Sequence, residues 1–292
     1  MASAGPTKKP HTVSKAVLRR FCDGAGLLQR FSVRYRTAKL VGPGGMGFTT
    51  MVHPVDPAGF EAVWRQIEDR LPAAFDKVEA GTAVTDPVTV DLLRNCLAVH
   101  MARTKDLIAL HEGIWRVWAD RNIDALAQDR RTAESFRRNR RGLVPVGPEA
   151  LRQEGQAIVG RSVAAIEASS FRADRMLELY REARKRLARV GLEIGVADSG
   201  EFLISDAPAQ TLRAGSPGVG FLRGVAWGNA TTIIMPIGRR HLLAVGAQNA
   251  YLHLDRTAVD YLNRCQVQAA HEFVAWHPDA DLRGFVEAAQ IR

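Results

Sequence analysis

Three cysteines in 292 residues are too few, and too far apart, to build a disulfide scaffold. Cys22, Cys96 and Cys265 form no CxxC pair, and an odd count excludes a complete set of bridges. The expectation is reduced, mostly buried thiols in a cytoplasmic protein. The sequence also lacks any apolar run near the ~20 residues that span a bilayer, so no membrane helix is expected. Residues 1–15 are small, polar and basic, without the apolar stretch of a secretory signal. There is no GK[ST] step and no internal repeat. What is present is a 46% hydrophobic composition, enough for a substantial core in one large or two modest domains. Lys and Arg number 40 against 31 Asp and Glu, a formal charge of +9. That excess permits a nucleic acid or another anionic ligand as partner, or simply a solvated, Arg-rich surface.

The periodicity predicts a helix-rich first part and a later set of strands. Residues 1–10 read as a disordered arm, and 11–292 as one domain with a helical lobe at 52–190 and a strand-bearing lobe at 191–292. Val13, Val17, Leu18 and Phe21 recur at helical spacing, and residues 27–34 alternate as a strand. Asp56-Pro57 and Asp86-Pro87 each read as an N-cap followed by the first helical residue. Pro72 is expected to bend or divide the first of these helices. The second is read as running on toward Trp118, and a further helix covers 122–138. Strands are expected at 192–196, 201–205, 231–236 and 241–245, and a final helix from Asp255 through Trp276. This is an α+β pattern whose C-terminal part contains a small, mostly antiparallel sheet.

Three familiar-looking patterns lose their chemistry on inspection. Gly42-Pro43-Gly44-Gly45-Met46-Gly47 fits GxGxxG, but Phe48-Thr49-Thr50-Met51-Val52 behind it favours extended chain, not the helix that would hold a pyrophosphate. His271 and His277 are six apart, which turns them away from one metal, so no metal site is expected. Arg94 and His100 loosely match the Arg-x(4–6)-His motif of HEPN ribonucleases, yet on a straight helix they point in different directions.

Two other groups carry more. His100 and Arg103 share a helix face at i, i+3 spacing, and Thr104 adds a hydroxyl. Such a face binds a phosphate or carboxylate, or belongs to a buried network joining helices. Phe202-Leu203-Ile204-Ser205-Asp206-Ala207-Pro208 is an apolar strand ending in Ser-Asp. Asp206 there is a candidate general base, metal ligand or partner of Arg103; alternatively Ser205 and Asp206 cap the turn. Lys8, Lys9, His11, Lys15, Arg19 and Arg20 gather positive charge near the start, and Arg137, Arg138, Arg140 and Arg141 form a second cluster.

Taken in order, these segments resemble the family called domain of unknown function 4238. His11-Thr12-Val13-Ser14-Lys15-Ala16-Val17-Leu18-Arg19-Arg20-Phe21 matches its opening stretch, with Ser14 where the family usually has Pro. Ile67-Glu68, Arg103-Thr104, Ile204-Ser205-Asp206-Ala207-Pro208 and Ile234-Met235-Pro236-Ile237 match later segments, with Ala207 in place of the usual Asn. The resemblance covers about residues 9–275. It implies a bacterial protein and, through members associated with anti-phage defence, a toxin-like or nucleic-acid-directed role.

Together these readings lead to one expected cleft. His11, His100, Arg103 and Asp206 form its catalytic set, with Thr104, Ser205, Arg19 and Arg20 on the substrate, and hydrolysis of a phosphate-containing or nucleic-acid substrate as the reaction. The alternative is a non-catalytic sensor or protein-binding module pinned together by the same residues. Neither reading names a cofactor or an oligomeric state.

Overall fold

A computed structural model describes residues 12–46, 59–104, 171–214, 221–223 and 229–290, with shorter pieces at 121–125, 128–129, 131, 134 and 148–157. Helix α1 (Lys15–Arg19) starts where Ser14 caps it, the Ser14 hydroxyl oxygen accepting from the Ala16 N–H. Helix α2 (Phe60–Glu79) follows Gly59, whose left-handed φ of 75° a side-chain-bearing residue would adopt only with strain. It buries Phe60, Trp64, Ile67, Leu71, Phe75 and Val78 along one face. Pro72 does not divide it. The ring faces solvent, and the apolar stripe carries the helix past the one missing amide. Helix α3 (Pro87–Ala102) begins as the sequence predicts, with Asp86 accepting from the Val88 N–H and Pro87 in the first turn. It stops at Ala102, and the expected continuation to Trp118 lies outside the described residues, as do Asp56-Pro57, His11 and the Arg137–Arg141 cluster. Helix α4 (Phe171–Leu187) leads into the strands.

The strands divide between two sheets. One has the order β2-β1-β10-β4, all antiparallel, from β1 (Leu28–Ser32), β2 (Thr37–Val41), β4 (Ile204–Ser205) and β10 (Phe273–Trp276). The other has the order β6-β5-β7-β8-β3-β9. It is built from β3 (Gly191–Ala197), β5 (Gln210–Ala214), β6 (Phe221–Arg223), β7 (Thr232–Pro236), β8 (His241–Gly246) and β9 (Ala250–Leu254). Among the described residues only the β3–β9 pair is parallel. The class is therefore mixed α+β.

The helix expected to be the last is shorter than its apolar spacing predicts, and another follows it. Helix α5 (Arg256–Ala269), capped by Asp255, ends where Ala270 becomes extended. Phe273–Trp276, expected to be helical, is instead the buried strand β10, paired with β1 in the register Phe31↔Val274. Val259, Val267 and Val274 keep a helical period, but four consecutive buried residues suit a central strand better than one helix face. Helix α6 (Arg283–Ala289) closes the fold, and Phe31, Leu203, Val267, Val274, Trp276 and Val286 share one core cluster.

The chain forms two compact units. One comprises residues 1–52, 59–104 and 176–292, which contain α1–α3, α5, α6 and the ten described strands; the other comprises 53–58 and 105–175. In the second, Arg152 pairs with Asp124 and Glu149. Among the described residues no helix is long and apolar enough to cross a membrane.

Candidate functional site

His100 and Arg103 do meet, and the surface on which they meet is Trp64. The His100 ring lies 4.8 Å from the Trp64 ring. The Arg103 guanidinium stacks 4.4 Å from the same residue's centroid and 5.8 Å from Phe60. Arg103 also pairs with Glu61 one turn earlier on α2. It is 3% exposed, so this pair is largely withdrawn from water.

His100 is more enclosed still, at 1% exposure. Its Nδ1–H donates to the Cys96 carbonyl at 2.7 Å, one turn back, which fixes the tautomer and leaves Nε2 to accept. Nε2 accepts from the Ser14 N–H at 3.1 Å. A proline at position 14 would have no such hydrogen to give. Burial drives the His100 pKa down to about 4, helped by the Arg103 charge and opposed by the Cys96 bond and Glu68. The ring is neutral at any ordinary pH.

Glu68 completes this network. Its carboxylate accepts from the Ser14 hydroxyl at 2.8 Å, the Ala16 N–H at 3.3 Å and the Trp64 indole N–H at 3.1 Å. Burial pushes its pKa up, but these donors outweigh it and hold the group below the usual carboxylate range. Thus α1, α2 and α3 are joined by one charge-assisted web built on Ser14, Glu61, Trp64, Glu68, His100 and Arg103. Sequence spacing exposes only its α3 members. The α2 members follow from α2 itself, since Trp64 and Glu68 are one turn apart.

Asp206 has a different task. Its two carboxylate oxygens accept from the His271 N–H at 2.9 Å and the Glu272 N–H at 3.1 Å. These amides lie just past the end of α5, and Asp206 thereby turns the chain out of helix and into β10. The Asp206 N–H donates back to the Phe273 carbonyl. Ser205 donates both its N–H and its hydroxyl to Gln266 Oε1, at 3.2 and 2.9 Å, and Gln266 Nε2 donates to the Pro208 carbonyl. Asn263, one turn before Gln266, clamps Leu203 and Glu201 in the same way. The Ser-Asp segment is thus a turn device. The contacts described for Asp206 and those described for Arg103 belong to different elements.

The remaining candidates separate as well. Thr104 donates to the Met101 carbonyl at 3.2 Å, closing the end of α3. Arg19 is exposed. Arg20 is bound into the structure: its Nε–H donates to the Ile237 carbonyl at 2.6 Å, it pairs with Glu79, and it stacks 4.7 Å from Phe75. His241 lies 3.4 Å from both Arg20 and Glu79, with its pKa lowered chiefly by burial. Arg94 reaches Val190 and Asn249, away from His100, so the HEPN-like pair does not form. His277 accepts from the Asp279 N–H. Among the described residues no group of three or more His, Cys, Asp and Glu could hold a metal ion.

No curated protein and no solved structure matches the chain. The family model described as a protein of unknown function, DUF4238, matches residues 9–280, nearly the full length, a range that takes in the web around Trp64 and the Ser205-Asp206 turn. The chain therefore belongs to the DUF4238 family.

Proposed function

We propose that this protein is a non-catalytic binding module, acting as a sensor of a nucleic acid or another anionic ligand in a bacterial cytoplasm. In this reading His100, Arg103, Ser205 and Asp206 hold the scaffold and move no protons. One observation carries it: both ring nitrogens of His100 are taken up by core partners, the Cys96 carbonyl and the Ser14 N–H. A general acid or base must offer a nitrogen to the reacting atom, and its pKa must lie near the working pH. His100, held near 4 and 1% exposed, meets neither condition. The engagement of Asp206 with two backbone amides supports the same reading.

The competing proposal is a defence- or toxin-related hydrolase of a phosphate-containing or nucleic-acid substrate. Purified full-length protein, incubated with single-stranded and duplex DNA, RNA and nucleoside triphosphates, with and without Mg²⁺, separates the two. The binding-module reading expects no product from any of them, and an Arg103→Ala variant with a lowered Tm. Turnover that Arg103→Ala abolishes at unchanged Tm would establish the hydrolase instead.

A further inference from the structure

The β1–β2 hairpin carries a basic cluster that no acid pairs among the described residues, although Arg30 lies 5.7 Å from the buried Phe273 ring. Between Asp23 and Asp56 the sequence has no acidic residue, yet it places Arg30, Arg34, Arg36 and Lys39 there. The strand register sets Arg30 directly opposite Lys39. Like charges so placed across an antiparallel pair weaken it. None of the four forms an ion pair among the described residues.

The tip adds two further features. Tyr35 is 69% exposed, with the Arg34 guanidinium 5.4 Å from its ring. Arg36 adopts φ 51°, the left-handed region normally left to Gly or Asn, while its N–H closes the turn on the Ser32 carbonyl. A strained turn that keeps an arginine where glycine would fit better points to a use for the charge.

We propose that this hairpin docks single-stranded nucleic acid, with Arg34, Arg36 and Lys39 against phosphates and one unpaired base stacked on Tyr35. The proposal rests on the binding-module reading and names its ligand. The basic residues alone would suit any polyanion. The exposed ring between two arginines selects among them, because only a strand with unpaired bases offers a π-face to a side chain. A duplex hides those faces, and an acidic peptide leaves Tyr35 without a role.

The test uses full-length protein and fluorescence anisotropy with oligo-dT, oligo-rU, a DNA duplex and polyglutamate. The two single strands should bind more tightly than the duplex or polyglutamate. Tyr35→Ala should weaken single-strand binding roughly 5- to 100-fold while keeping the salt dependence. Arg34→Ala/Arg36→Gly should lower the slope of log K against log salt by about 1.4, at ~0.7 per lost phosphate contact. The Tm of both variants should stay at or above that of the parent. The proposal is overturned if duplex or polyglutamate binds as well as oligo-dT, if no oligonucleotide binds, or if the hairpin variants retain parental affinity and slope. Cleavage of the oligonucleotide would break the binding-module reading instead, a result visible as product and independent of the affinities.

Discussion

The web around Trp64 and the β1–β2 hairpin treat charge in opposite ways. In the web, Arg103 is 3% exposed and paired with Glu61, and Glu68 is surrounded by donors. In the hairpin, Arg34, Arg36 and Lys39 are exposed and opposed by no acid in their own segment. Buried charges that have found partners are expensive to disturb and have little left to offer a ligand. Exposed charges that repel one another cost the fold something and become useful only when an anion arrives. His100 and Arg103 are thus packed between α2 and α3, Asp206 is taken up by the turn into β10, and the hairpin leaves Arg34, Arg36 and Lys39 in solvent.

The largest blow to the web is Trp64→Ala, which removes the surface shared by His100 and Arg103 and leaves a cavity. Chemical denaturation should record a loss of about 3–5 kcal/mol. If the loss is below ~1 kcal/mol, the web is not what joins α1, α2 and α3.

Acid comes next. With its folded pKa near 4 against an ordinary 6.5, His100 contributes no penalty above pH 6.5, where both folded and unfolded chains are neutral at this group. Below that the unfolded chain takes the proton first, and stability falls until about pH 4, where the loss levels off. The drop amounts to at most about 3 kcal/mol. His241, whose pKa is lowered chiefly by burial and also by the Arg20 and Arg240 charges against the pull of Glu79, adds in the same direction. His100→Gln should flatten most of this acid limb in denaturation curves taken from pH 7 to 4, whatever it does to stability at pH 7. The hairpin holds no histidine and contributes nothing to it.

Asp206→Asn has a smaller effect. An amide presents one oxygen where the carboxylate presents two, so the His271 or Glu272 N–H loses its acceptor, at about 1–3 kcal/mol. Faster hydrogen exchange confined to the start of β10 would locate the effect.

Arg36→Gly moves the other way. Relieving the left-handed arginine should stabilise the protein by roughly 1 kcal/mol, read as a raised Tm. A fall in Tm would mean that the side chain supports the turn, and the contrast with the web would fail at that point.

The sequence makes some of this legible. Asp86-Pro87 announces α3 because cap and first-turn chemistry are local, and His100 with Arg103 follows from helical spacing. Turn capping by Ser205 and Asp206 is one of the roles their types permit. What sequence hides is contact at long range. Trp64 and Glu68 reach His100 and Ser14 across two helix boundaries, and although they sit one turn apart and Ile67-Glu68 is family-like, neither local pattern names those partners. The end of α5 carries no Gly or Pro to stop it; the stop is Asp206, more than sixty positions earlier in the chain. For the same reason β10 reads as helix, since its strand identity is conferred by pairing with β1. The strand β2 is missed because its mixture of Thr, Ala, Lys, Leu and Val shows no clean alternation of buried and exposed positions.

The division between buried support and exposed binding surface comes down to the oligo-dT affinity of Arg103→Met, measured by anisotropy at a temperature where the variant is fully folded. Removing a partner from the buried Glu61 pair should lower its Tm while leaving its affinity within about twofold of the parent. An affinity loss of tenfold or more at unchanged Tm would contradict the account and return Arg103 to the ligand.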